Sequence, residues 1–371
     1  MGHRLMRHAA ATYLGRQIGF ATRGYWSGND YGNNTRDIFS EMFEPYTRED
    51  FPFVNSTKRV LKVVNEVPFH TGIKQKCFWG NARGQCTQTN TRGKEGPDCS
   101  CTFDELEVHT SLFRSLRDRY VRRKQLEDFM KKHKFADHTV FGMHIRAGNG
   151  EKAAFSGRGR SIKHDPNDYI SSLITEMQKS IPIDTLEKPP MIFMATDDPK
   201  YRGIISTEIE KMGLSWPVVV LEQEFLEKGT LADGRSNHFE MFHSMFQDML
   251  LLSYSDVVIP IRYSSFPQAM PMYLALDRPE SERKLRDTYC EVVDANEKGT
   301  KPNVTGPQLS VFCYHSLMQL FCGTDNPVHR KVMKCLDPEY RYNQKPFDLE
   351  IQDFGPTQYL SFEDGLGYKS K

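Results

Sequence analysis

An arginine delivered into a glycine-rich turn by an apolar run presents a fixed cation to an anion. Residues 141–151, Phe-Gly-Met-His-Ile-Arg-Ala-Gly-Asn-Gly-Glu, have that form. If residues 135–147 are a buried strand, side chains alternate faces and His144 and Arg146 point the same way. Gly148 and Gly150 then let backbone amides come close to a ligand, and Asn149 tolerates unusual dihedrals. A guanidinium beside exposed amides suits a pyrophosphate. The same pattern also fits a strand end whose arginine pairs with a carboxylate. A second polar cluster, Thr196-Asp197-Asp198-Pro199, is a cap-and-turn signal. Two adjacent carboxylates before a proline, with no Asp-x-Asp beside them, fit a turn that orients a ligand or caps a helix better than a metal site.

These groups need a scaffold, and strand and helix signals alternate up to residue 277. Residues 166–181 carry Ile170, Leu173, Ile174, Met177 and Ile181 on one helical stripe, opened by Pro166 after Asp165. Strands are expected at Pro190 to Ala195, Trp216 to Leu221 and Asp256 to Ile261. Helices are expected at Pro199 to Met212, His238 to Ser253 and Ser265 to Leu276. That alternation implies a parallel sheet covered on both faces. In such sheets ligands bind outside the carboxyl ends of the strands, where Arg146, Asp197, Asp198, Ser264 and Ser265 fall.

His144-Ile145-Arg146, then Ala195-Thr196-Asp197-Asp198-Pro199, then Asp248-Met-Leu-Leu-Leu-Ser-Tyr-Ser-Asp256 followed by Ser264-Ser265, resembles the motif series of the α1,6-fucosyltransferase superfamily. That superfamily includes the core N-glycan enzyme of animals, the rhizobial nodulation fucosyltransferase and, more distantly, the protein O-fucosyltransferases. The run His-Ile-Arg-x-Gly-Asn-Gly-Glu is most similar to the nodulation branch. The likeness covers residues 137–277. A shorter one, Gly2-His3-Arg4 with a helix behind it, resembles the family's amino-terminal glycine loop.

The resemblance implies a GT-B fold, two Rossmann-like domains facing a cleft, and an inverting transfer from GDP-fucose without a bound metal or other cofactor. It puts Asp248 at the reader of guanine, whose adjacent N–H donors one carboxylate accepts in bidentate fashion. A helix-surface aspartate is the alternative. Ser264 and Ser265, at a helix start, would give hydroxyl and amide donors to a phosphate or simply cap the helix. Arg146 would meet the charge growing on the β-phosphate. His144 reads as a packed or phosphate-adjacent residue. Glu151, in the loop after Arg146, is the candidate general base. That loop is shorter than in the core N-glycan enzymes, so a shift of one residue would bring Lys152 to the same place, and a solvated glutamate also fits.

With 371 residues and 38% hydrophobic content the chain can build two cores, divided here as 1–134, an amino-terminal acceptor-side domain, and 135–371, a GDP-sugar domain with a cysteine-rich extension. A net charge of +1 implies no nucleic-acid partner. The run Arg114 to Lys134 holds nine Lys or Arg against three acids, with Leu112, Leu116, Tyr120 and Phe129 on one side, and reads as a solvated amphipathic helix closing the first domain. The eight cysteines fall into two clusters, Cys77, Cys86, Cys99 and Cys101, then Cys290, Cys313, Cys322 and Cys335, without paired C-x-x-C spacing. Two local disulfide frameworks are expected. Together with sequons at Asn33, Asn55 and Asn303 they point to the lumen of the Golgi or endoplasmic reticulum, with exclusively reduced, cytosolic cysteines as the alternative.

A helix from His3 to Gln17, with Leu5, Met6, Ala9, Tyr13 and Leu14 inward, leaves no room for the strand a Rossmann-like domain places before its first glycine turn. The expectation is an amino-terminal domain truncated at its start, with any membrane anchor lying upstream. The acceptor, an oligosaccharide or glycoprotein, is not specified by these residues. Trp26, Tyr31 and Trp79 can stack on sugar rings or anchor loops. A catalytically inactive GDP-sugar-binding or lectin-like protein of the same fold is the competing reading. A dehydrogenase is disfavoured, since no Gly-x-Gly-x-x-Gly turn joins a strand to a helix.

Overall fold

The computed structural model describes Leu5, His8, Ala9, Thr12 and residues 37–45, 59–61, 103–146, 164–181, 183–198, 200–222, 238–260, 266–267, 270–276, 289–294, 306–314 and 359–361. The cysteines from Cys77 to Cys101, Cys322, Cys335, the three sequons, Trp26, Tyr31 and Trp79 lie outside those residues. The chain folds as two compact units, one of Met1–Gly2, Ser27–Arg36 and Arg122–Leu317, the other of His3–Trp26, Asp37–Val121 and Met318–Lys371.

In the smaller unit Leu5, His8, Ala9 and Thr12 are helical and buried, a spacing of three and four that puts them on one face. Helix α1 (Ile38–Met42) is capped by Asp37, whose side chain accepts from Phe39 N. Helix α2 (Phe103–Asp118) buries Leu112, Phe113 and Leu116. The rings of His8 and Phe39 meet edge to face at 5.1 Å, Phe39 and Phe43 at 4.7 Å, and Phe43 and Tyr120 at 6.3 Å. Strand β1 (Arg59–Leu61) pairs antiparallel with β8 (Tyr359–Ser361).

The first helix described in the larger unit is α3 (Arg123–Lys132). The basic run from Arg114 to Lys134 is therefore two helices rather than one. The break falls where Tyr120 forms a bridge with Phe43 and Val121 N donates to Met42 O. A 3-10 turn at Phe135–Asp137 then separates α3 from strand β2 (Thr139–Ile145), which starts later than the apolar run suggests. Lys134, in the left-handed region at φ 56°, turns the chain there.

Seven further elements of this unit carry the site. They are α4 (Pro166–Ser180), β3 (Pro190–Thr196), α5 (Lys200–Lys211), β4 (Val218–Val219), α6 (His238–Tyr254), β5 (Val257–Pro260) and α7 (Met270–Leu276). Strands β6 (Tyr289–Asp294) and β7 (Leu309–Tyr314) complete the sheet. Its order is β4-β3-β2-β5-β6-β7, parallel throughout except for the antiparallel β6–β7 pair. The chain thus begins in the middle, walks to one edge through β3 and β4, and returns past β2 to build the other side.

Alternation along the strands sorts the two faces. Phe141, Met143 and Ile145 of β2, Ile192 and Met194 of β3, and Val257 and Ile259 of β5 meet Tyr169, Ile170, Leu173, Ile174 and Met177 of α4 and Ile205 and Ile209 of α5. Each such side chain taken from water contributes about 1.5–3 kcal/mol. On the opposite face lie Gly142 and Phe193, with Phe193 touching Phe129 of α3 at 6.5 Å and Phe135 at 6.1 Å. Arg122 Nη1 and Nη2 donate to Glu240 Oε2 and Oε1 at 2.6 Å each, tying the start of α3 to α6. Strand β4 is short because Pro217 has no N–H to give, although its carbonyl accepts from Ile192 N at 2.8 Å. Trp216 stacks on Phe141 at 6.2 Å.

Cys290 and Cys313 face each other across β6 and β7 and form a disulfide, one bridge within the second cysteine cluster. Among the described residues no helix is long and apolar enough to cross a membrane.

Candidate functional site

Strand order reverses between β2 and β5, and a crevice opens at such a point beyond the carboxyl ends of the two strands. Phe141, Gly142, Met143 and His144 run in register beside Val257, Val258, Ile259 and Pro260. Arg146 leaves the end of β2 half-buried, at the strand end where that rule puts the crevice.

His144 precedes it by two residues, and the Arg146 charge reaches its ring. It is 8% exposed, and its ring lies parallel to that of Phe266, with centroids 5.0 Å apart and 18° between planes. Its Nδ1 is sealed from water and has no hydrogen-bond partner. Burial first, and the Arg146 charge second, pull its pKa down to about 3. The ring is neutral at physiological pH, so of the two side chains it is Arg146 that carries charge. Phe266 directly follows Ser265 in the chain, and its stacking joins that part of the sequence to β2.

The Asp197-Asp198 pair leaves the end of β3, both residues half-buried. Asp198 accepts from Lys200 N at 3.0 Å, pairs with Lys200 Nζ at 3.0 Å, and its own N–H donates to Thr196 Oγ1 at 3.2 Å. That is the N-cap arrangement, and it starts α5. Asp165 caps α4 in the same way through Asn167 N and Asp168 N. Those two backbone bonds hold its carboxyl below the usual range. Tyr201, on the first turn of α5, is pushed up to about 12 by burial and then by the charges of Asp198, Asp197 and Asp165.

Asp248 lies on α6, 6% exposed, which removes the helix-surface alternative. Its charge reaches Arg202 of α5, a half-buried guanidinium whose Nη2 donates to Leu221 O at 2.8 Å. Burial lowers the Arg202 pKa, while Asp248 and Glu222 oppose that shift.

Glu151, Lys152, Ser264 and Ser265 lie outside the described residues. The expected helix from Ser265 is corrected. Phe266 and Pro267 form a turn and α7 begins at Met270. A proline at 267 disfavours helical backbone at 266, whereas Pro271 falls in the first turn of α7, where its missing N–H costs nothing. Among the described residues no three His, Cys, Asp or Glu side chains gather as a metal would require.

Sequence reasoning missed three contributors. Tyr201 and Arg202 follow the Asp-Asp-Pro turn by so few residues that α5 must bring them near the strand ends, and that signal was available. Nothing in the sequence joins Phe266 to His144.

No protein-family model matches this chain, and no curated protein matches it. Among solved structures it is similar to NodZ α1,6-fucosyltransferase co-crystallised with GDP, at 16% identity over 84% of this chain and 94% of that one, with a TM-score of 0.46. The fucosyltransferase NodZ from Bradyrhizobium in selenomethionine form matches at 16% identity over the same shares, with a TM-score of 0.45. POFUT1 in complex with GDP-fucose matches at 10% identity over 50% of this chain and 49% of that one, with a TM-score of 0.29. The neighbours of this chain among solved structures are thus fucosyltransferases, at low identity and with TM-scores below 0.5.

Proposed function

We propose that this chain is an inverting, metal-independent glycosyltransferase of the GT-B type that moves fucose from GDP-fucose to a glycan hydroxyl, forming an α1,6 linkage. The observation that supports this reading is that Arg146, within His144-Ile145-Arg146, follows the strand end at which strand order reverses. The donor half lies within 135–371 and the acceptor half within 1–134. In the reaction the acceptor oxygen attacks C1 from the side opposite GDP. The bond from C1 to the β-phosphate oxygen breaks with its electrons going to the phosphate, where Arg146 meets the growing charge. Glu151 takes the acceptor proton. Asp248 accepts from guanine, Ser264 and Ser265 donate to phosphate, His144 packs beside it, and Asp197 and Asp198 orient the ligand-facing turn. The Cys290–Cys313 bridge supports an oxidising compartment, the lumen of the Golgi or endoplasmic reticulum.

The test is the melting temperature of the purified chain with GDP, GDP-fucose, GDP-mannose, UDP and ADP, because a ligand of the native state raises it. A rise with GDP and GDP-fucose alone supports the donor assignment. Indifference to all five by a chain that melts cooperatively overturns it. Binding of GDP-fucose without turnover on any glycan acceptor would leave the inactive binder.

A further inference from the structure

The end of β2 carries two side chains of opposite character, a half-buried Arg146 and a buried His144. In register with His144, β3 offers Ala195 and β5 offers Pro260. Neither has a polar side chain. Phe266 covers the ring, held in a turn by the buried Pro267. We propose that Phe266 is a positioning residue of the donor site, holding the His144 ring fixed and dry beside Arg146. The role rests on the reading of this crevice as a GDP-sugar site.

The physical case has two parts. A protonated His144 would repel Arg146, whose field reaches the ring, and push the guanidinium from the place where it meets the phosphates. Excluding water from the ring also lowers the local dielectric, which strengthens the attraction between Arg146 and a pyrophosphate. Both effects depend on an aromatic cover of the right area, because an aliphatic side chain leaves the edge of the imidazole open to solvent.

The test compares wild type, Phe266→Leu and Phe266→Tyr by two readouts. One is the titration of the His144 ring, followed by NMR of histidine-labelled protein and assigned with His144→Gln. The other is the affinity for GDP by calorimetry. The leucine variant is expected to move the His144 pKa up toward its ordinary 6.5 and to weaken GDP about tenfold, while the tyrosine variant keeps both near wild type. If the leucine variant does not unfold cooperatively, Phe266→Met is measured in its place. A folded variant in which His144 stays neutral, or in which GDP binds as in wild type, overturns the proposal. A wild-type chain that binds no GDP, with His144 still responding to the leucine change, overturns the donor reading and this role with it, but leaves the stack itself measured.

Discussion

Gly142 and Ser255 meet so closely that a β-carbon at Gly142 would collide with Ser255 Oγ and lie 2.7 Å from Ser255 Cβ. This contact sets the end of α6 down on β2, and it adjoins a second tie. Val140 N donates to Asp256 Oδ2, and Asp256 N donates to Val140 O, each at 2.8 Å. Together they fix the entry of β5 beside β2, and so the crevice at the other end of both strands. Gly142→Ala is expected to lose about 1–3 kcal/mol in urea unfolding. Ser255→Gly in the same chain should recover most of it. Additive losses in the double variant would mean the contact is not the cause.

Asp198 should matter to stability through the cap alone. Asp198→Ala is expected to cost about 1 kcal/mol in chemical denaturation, and Asp198→Asn much less, because the amide oxygen still accepts from Lys200 N. Equal losses in both would point to the lysine charge instead.

Arg146 bears on turnover. If most of its effect falls on charge that grows as the C1–O bond breaks, Arg146→Ala should lower kcat by about 10²–10³-fold and weaken GDP by only about tenfold. Single-turnover kinetics beside calorimetry would separate the two. Equal losses would make Arg146 a ground-state anchor.

Acid should weaken the fold through His8 and His144. Burial leads in pulling each down to about 3 from an ordinary 6.5, with Arg119 adding to the effect on His8 and Arg146 to that on His144. Below 6.5 the unfolded chain takes up protons that the folded one refuses until about 3, so stability is lost as pH falls through that window. The limiting slope is about 1.4 kcal/mol per pH unit for each ring. Denaturant midpoints from about pH 7 to 5.5, above the usual carboxylate range, should fall in wild type and fall less in a His8→Leu, His144→Phe chain. Parallel curves would contradict the assignment.

The disulfide should be worth keeping. Cys290 and Cys313 are 23 residues apart, and closing a loop of that size stabilises by about 3 kcal/mol in the chain-entropy account. A Cys290→Ser, Cys313→Ser chain should melt lower than wild type under non-reducing conditions, and reductant should abolish the difference. No difference without reductant would sink the prediction.

Much of the larger unit was legible because its signals are local. The caps Asp165 and Asp198, Pro166 at the first helical position and the alternation along β2 and β3 each act over a few residues. Strands β6 and β7 escaped because Tyr289–Asp294 and Leu309–Tyr314 fall within a stretch that read as a cysteine framework. Strand order was not legible either. A helix of the length of α6 can land on either edge of a half-built sheet, and what decides is packing, such as Gly142 against Ser255 and Arg122 against Glu240. Arg146 could be singled out by type and setting. The burial of His144 under Phe266 joins distant parts of the chain, and no local pattern encodes it.

The return of the chain past β2 has a consequence for biosynthesis. As the polypeptide emerges from the ribosome, β2, β3 and β4 can assemble first, yet β2 then presents one side with its backbone donors and acceptors unmatched until β5 is translated. An open edge of that kind recruits other strands. Until α6 and β5 are made, the strand that leads to Arg146 keeps that side open, and truncated translation products stopping before Val257 should be adhesive.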